Sequence, residues 1–262
     1  MTWGYGVFIP PPSTSDPALI AALAQVTGLA RIDAQMILAS HLPRRVFTSR
    51  TASEGADRVR SLRAAGFDGF VVSFDALARA HPPQVQAASF TPEGLAFEPA
   101  GAFQPGELRL LIHGEFLSGF DIQRTVTTYS RGFSGFGHHE TQETTHDRSS
   151  SAEQFLHLYG TTHDKVFELR PQRFNFRCLG NDFSLTASQN VKTFIQRLHT
   201  LSPDLRYDDT LLRFPPVLDD QVVSDRVAGG DPIRLEVVQH KLGNETGAIR
   251  ASFLLALSIL RG

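Results

Sequence analysis

The densest concentration of side chains able to do chemistry lies in GFGHHETQETTHDRSSS, residues 135–151, where His138, His139 and His146 stand among Glu140, Glu143 and Asp147. Neutral imidazole and carboxylate are ligands for zinc and other divalent ions, so the stretch is a candidate zinc site and a metal-dependent hydrolase its implied activity. The spacing forms no His-Glu-x-x-His signature. On a strand, residues 138, 140 and 146 would share one face and 139, 143 and 147 the other. The competing reading is a solvated tip: the segment falls between two β-like runs, DIQRTVTTYS and EQFLHLYG, and its Gly, Ser, Thr and acidic residues suit a long hairpin end. The tip is the expectation, and the zinc site is its alternative.

The remaining residues with chemical potential are scattered. Cys178, in FNFRCLG, has no base near it in sequence and reads as a buried strand residue. His113 and His157 sit in strand-like runs, where they could pair with neighbours or join the metal site. SRGFSGFG lacks both the dinucleotide fingerprint and the lysine of a phosphate loop, and no Gly-x-Ser-x-Gly elbow occurs. Asp219, Asp220, Asp231 and Glu236 read as a solvated acidic stretch. No catalytic residue is assigned, which favours a non-catalytic role.

The elements that must carry these residues are bounded by composition. A chain of 262 residues suggests two domains, and 41% apolar residues suffice for ordinary cores. A net charge of −2 and a pI near 6.5 give no reason to expect nucleic acid or an anionic membrane as partner. Arginine outnumbers lysine 22 to 3, as expected from a GC-rich bacterial genome. The single cysteine excludes a disulfide framework and any multi-cysteine zinc site. The start of the chain has no basic region followed by an apolar run, so the expected compartment is the cytoplasm. AIRASFLLALSILRG, near the other end, is too short to span a bilayer and reads as a buried helix near 245–261.

The clearest pattern occupies residues 1–80. GYGVFI is a strand stopped by PPP. Asp16-Pro17 forms an N-cap and first helical residue, with Leu19, Ile20, Leu23 and Val26 on one face and Gly28 at the end. A second helix, about 32–40, is expected to bury Ile32, Met36 and Ile37. PRRVFTS is a strand, Thr51 and Glu54 open a third helix with capping-box spacing, Gly66 closes it, and FDGFVVS is a strand. The segment VTGLARIDAQMILASHLPRRVFTSRTASEGADRVRSLRAAGFDGFVV, through Thr27-Gly28-Leu29, Asp33-Ala34 and Ala65-Gly66, resembles the C-terminal domain of the bacterial ribosomal stalk protein. That is also the fold of the Clp-protease adaptor, whose Met-Leu-x-x-His segment MILASHLPRRV resembles, with His41 as its histidine. The resemblance implies a small α+β protein-binding module. The family's basic helix face has no counterpart in DPALIAALAQV.

Residues 81–262 read as a β-rich domain with helices near 186–202 and 245–261. VQAASF and LAFEP flank the turn TPEG; ELRLLIHGEFL, DIQRTVTTYS, EQFLHLYG, DKVFELR and RFNFRCLG are further strands. The amphipathic helix opening at Thr186 buries Val191, Phe194, Ile195 and Leu198. Between 203 and 244 the expectation is irregular chain with one strand at IRLEVVQ. Several strands closed by one helix resemble a pleckstrin-homology-like fold in element order. The overall expectation is an α+β, two-domain cytoplasmic protein that binds another protein.

Overall fold

The structure, a computed structural model, describes residues 4–12, 16–99, 101–131, 138–215, 221–228, 233–242 and 244–261; at 118–122, 130–131, 138–139, 148–150, 221–228 and 233–242 the description is of backbone alone. It is a mixed α/β fold with several sheets.

The chain begins with β1 (Tyr5–Ile9), α1 (Pro17–Thr27), α2 (Arg31–Leu38), β2 (Arg44–Ser49), α3 (Ala52–Ala64) and β3 (Phe70–Ser73). Asp16 accepts the Ala18 N–H at 2.8 Å with Pro17 in the first helical turn. Gly28 ends α1 in the left-handed conformation, φ 73°, where a Cβ would be strained. Thr51 Oγ1 accepts the Glu54 N–H at 3.2 Å, starting α3. The strands pair antiparallel in the order β2-β1-β3. Alternation along β1 sends Val7 and Ile9 under the helices, with Leu23, Ala34, Leu38 and Leu62, while Phe8 joins Phe70 and Val72 on the opposite face.

Helix α2 departs from expectation. Ala34 and Leu38 are its buried residues, Ile37 is half-buried, and Ile32 and Met36 point outward, 61% and 68% exposed. The i, i+4 pair Ala34 and Leu38 instead shares one core with Ile20 and Leu23 of α1.

Next come α4 (Phe74–Ala78), β4 (Gln84–Val85), β5 (Ala87–Thr91), β6 (Gly94–Glu98), β7 (Ala102–Phe103), β8 (Leu110–Arg131), β9 (His138–Tyr159) and β10 (Val166–Leu169). Strands β5 and β6 form the hairpin expected around TPEG, extended by β7. After β10 the chain does not make the strand read from RFNFRCLG. Residues Phe176–Asp182 form a 3₁₀ segment opened by the Asn175 side chain, because Phe174, Phe176 and Leu179 all turn into one core. Then follow α5 (Ala187–Leu201), β11 (Arg206–Asp208), α6 (Thr210–Arg213), β12 (Gln221–Ala228), β13 (Ile233–Leu242) and α7 (Glu245–Leu260). Where one strand was expected between 203 and 244, the described residues thus hold β11, α6, β12 and β13.

By packing density the chain divides into two units: residues 1–114, 154–215 and 249–262, and residues 115–153 and 216–248. Strands β8 and β9 contribute residues to both. In the second unit, β12 pairs antiparallel with β13, and β13 with the distal part of β8, from Ile233 opposite Tyr129 to Leu242 opposite Phe120. Asn244 is fastened to Leu117 twice: its Oδ1 accepts the Leu117 N–H at 2.6 Å, and its own N–H donates to the Leu117 carbonyl at 3.1 Å.

In the first unit, the β9–β10 hairpin is covered on both faces. Leu156, Leu158, Phe167 and Leu169 enter a core shared with Val191, Phe194 and Leu198 of α5. The opposite face, carrying Phe155, His157, Tyr159, Glu168 and Arg170, meets α7 through Ser252. Another side of α7, Leu254 and Leu257, packs on Phe8, Phe70 and Val72 of the first sheet. The helix is thus enclosed, as its nearly continuous apolar run implies. No helix among the described residues is long and apolar enough to cross a membrane.

Candidate functional site

The histidine-rich stretch is strand rather than loop from His138 onward, since β9 begins there. Residues 140–147 are exposed, and Thr144 meets Thr125 of β8 across the pair at 3.3 Å. His146 is therefore a solvent-facing strand residue. The side chains of His138 and His139 lie outside the described residues. Among the described residues no three His, Cys, Asp or Glu side chains converge on a point where a metal ion could sit.

The polar constellation that the fold does assemble is elsewhere, on the inner face of the β9–β10 hairpin. His157 and Glu168 are direct cross-strand partners. His157 Nε2 lies 3.0 Å from Glu168 Oε2, and Arg170 Nε donates to Glu168 Oε1 at 2.5 Å. On the other side of the ring, His157 Nδ1 lies 2.7 Å from Ser252 Oγ, which is 3.1 Å from the Tyr159 hydroxyl. His157 and Ser252 have no solvent exposure at all, and Tyr159 and Glu168 have 1% each.

Burial holds the His157 pKa below the ordinary imidazole value, so the ring is neutral. Burial by itself would raise Glu168, but its bonds to His157 and Arg170 outweigh that and leave it below the usual carboxylate range. Burial also pushes the Tyr159 phenol up, keeping it protonated. These states fix every hydrogen. A carboxylate only accepts, so Nε2 carries the imidazole proton; Nδ1 accepts from the Ser252 hydroxyl, which in turn accepts from Tyr159. Each donor in the chain Tyr159, Ser252, His157, Glu168 has an acceptor, and Arg170 balances the charge.

Serine, histidine and glutamate in contact invite comparison with an acyl-transfer triad, and three features oppose it. Ser252 binds Nδ1 while the carboxylate binds Nε2, the reverse of that arrangement. Ser252 lies inside α7, and it has no exposed surface to receive a substrate. The network closes the interface between hairpin and helix.

The other residues singled out are dispersed. His113 lies on β8 with Nδ1 2.9 Å from the Tyr207 hydroxyl, and burial lowers its pKa. It does not meet His157. Cys178 belongs to the 3₁₀ segment, is half-buried, and has its thiol pushed up by burial, the opposite of an activated nucleophile. His41 stacks on Phe214 with ring centroids 3.7 Å apart. Asp219, Asp220 and Asp231 lie outside the described residues, as does the side chain of Glu236.

The outward face of α2 is the most conspicuous surface feature of the helical layer. Ile32 and Met36 are one turn apart, so they form a contiguous apolar strip, bordered by the exposed Arg31, Asp33 and Gln35. No protein-family model, curated protein or solved structure matches the chain.

Proposed function

We propose that the protein is a non-catalytic protein–protein interaction module acting in the cytoplasm. In this reading its first 80 residues follow the plan of the ribosomal stalk C-terminal domain, and part of the β-rich remainder a pleckstrin-homology-like plan. The observation that supports it is the exposed pair Ile32 and Met36 on a helix whose other face is fully used. Covering an apolar side chain of this size is worth about 1.5–3 kcal/mol, and the unbranched thioether of methionine adapts its shape to a partner. The charged residues around the strip would keep the free protein dispersed and form the rim of a complex.

The test is a photoreactive amino acid at position 36 of the full chain, activated in extract of the source cell. A discrete crosslinked species is expected, and Ile32→Glu should abolish it. The same label at Lys192, exposed on α5, serves as the comparison. Identical crosslinking from positions 36 and 192, or a species indifferent to Ile32→Glu, would refute the assignment of this face.

A further inference from the structure

Within the first unit, three stretches far apart in sequence line a half-open cavity of about 330 Å³: the end of α4 and its exit at Ala76 and Arg79 to Pro83, the β9–β10 turn from Tyr159 to Val166, and Ile249 and Phe253 of α7. Its volume is at the small end of the range for ligand pockets. Much of the wall is apolar, from Ala76, Pro82, Pro83, Val166, Ile249 and Phe253.

The polar groups are unevenly committed. Tyr159 gives its hydroxyl to Ser252 and so contributes a fixed aromatic wall. His163 Nε2 is 3.2 Å from Asp164 Oδ1, and the His163 ring stands edge-on to Phe253 with centroids 5.6 Å apart. Arg79 donates from Nε to the Asp75 carbonyl at 3.3 Å, a contact that leaves its two terminal nitrogens facing no carboxylate among the described residues. The cavity therefore combines one guanidinium, an adjacent imidazole at His81, the carboxylate of Asp164 beside His163, and a flat apolar wall.

We propose that this cavity binds a small organic monocarboxylate with a flat apolar body. The carboxylate pairs with the terminal nitrogens of Arg79, whose planar fork matches two oxygens. The body lies against Phe253, Val166 and Ile249. A dianion is disfavoured because Arg79 is the one guanidinium in the lining and the carboxylate of Asp164 shares it. The wall is preorganised: Tyr159 is held through Ser252 and His157 to Glu168, so little ordering is required when a ligand enters. The site is independent of the α2 face.

Benzoate, benzyl alcohol and inorganic phosphate are to be titrated into the full chain by calorimetry, with the ring ¹H–¹³C signals of the histidines followed in parallel. Saturable benzoate binding is expected, with His81 and His163 shifting while His41 and His199 stay put. Benzyl alcohol, lacking the charge, should bind about tenfold more weakly or worse, and Arg79→Gln should weaken benzoate by a similar factor. Lys192→Gln, a remote cation on α5, should change nothing. Arg79 is exposed, so its replacement leaves the fold intact, which circular dichroism checks. The proposal is overturned if benzoate shows no saturable binding at millimolar concentration, if phosphate binds as well as benzoate, or if Arg79→Gln binds benzoate as tightly as the natural chain.

Discussion

Replacing Glu168 tests the buried network most directly, because two substitutions separate charge from hydrogen bonding. Glu168→Leu keeps an apolar body of similar length but removes both acceptors. The imidazole N–H of His157, wholly buried, then has no partner, at about 1–3 kcal/mol. Arg170, 6% exposed, loses a charge-assisted contact, and breaking a buried ionic pair from one side costs about 3–5 kcal/mol. These terms overlap, and the leucine's own burial offsets part of them, so a net loss of about 3–5 kcal/mol is expected. Glu168→Gln behaves differently. Its carbonyl can still accept from Arg170 while its amide donates to His157 Nε2, which obliges the imidazole proton to move to Nδ1. Ser252 then accepts from His157, so the chain of hydrogen bonds reverses and its last donor, the hydroxyl of Tyr159 or of Ser252, loses its partner. Charge assistance and one buried donor's partner are lost, about 2–3 kcal/mol, while Arg170 keeps an acceptor. Urea unfolding followed by circular dichroism gives both values, provided the slopes agree with that of the natural chain. A Glu168→Leu protein within about 1 kcal/mol of the natural chain, or a Glu168→Gln protein as unstable as Glu168→Leu, would refute the network as described.

Acid should weaken the fold in two stages. The His157 and His113 pKa values are lowered by folding, so the unfolded chain binds more protons once pH falls to the ordinary imidazole value of 6.5, and stability declines from there. Glu168 is also lowered, so its contribution persists above the ordinary carboxyl value of 4.5 and is lost as pH falls through and below it. His157→Phe should flatten the upper stage of a stability-against-pH curve; an unchanged slope between neutrality and the carboxyl range would count against the neutral imidazole. Gly28→Ala should cost about 1 kcal/mol in the same unfolding assay, all of it backbone strain at φ 73°, because a Cβ there meets nothing within 4 Å. A neutral result would mean that α1 ends in some other conformation.

Much of the first sheet was legible because its signals are local. Asp16-Pro17, Gly28 and the Thr51–Glu54 pair each act within one turn, and the structure uses all of them. The orientation of α2 was not, since Ile32 and Met36 fit a helical stripe as well as Ala34 and Leu38 do, and which stripe meets the core of Ile20 and Leu23 is a tertiary matter. The distal half of β9 escaped notice for a different reason: Thr141, Thr144 and Thr145 favour strands, but with both faces solvated there is no apolar alternation to mark one. The buried network left a faint trace. His157 and Tyr159, like Glu168 and Arg170, are two apart on adjacent strands and so share a face, yet Ser252 lies nearly a hundred residues away along the chain. No local rule joins a serine in an apolar helix to that pair.

The enclosed position of α7 also sets the order of events during synthesis. Phe8, Phe70 and Val72 leave the ribosome early, but Leu254 and Leu257, which cover them, are made only after the whole intervening chain. The same helix completes the inner face of the hairpin through Ser252. For most of translation, then, the nascent chain carries a bare aromatic sheet face and a half-satisfied polar strip, the surfaces that chaperones hold and that drive aggregation when unattended. The helix-covered side of the first sheet has its own core, but its other side and the inner face of the hairpin are completed only by α7.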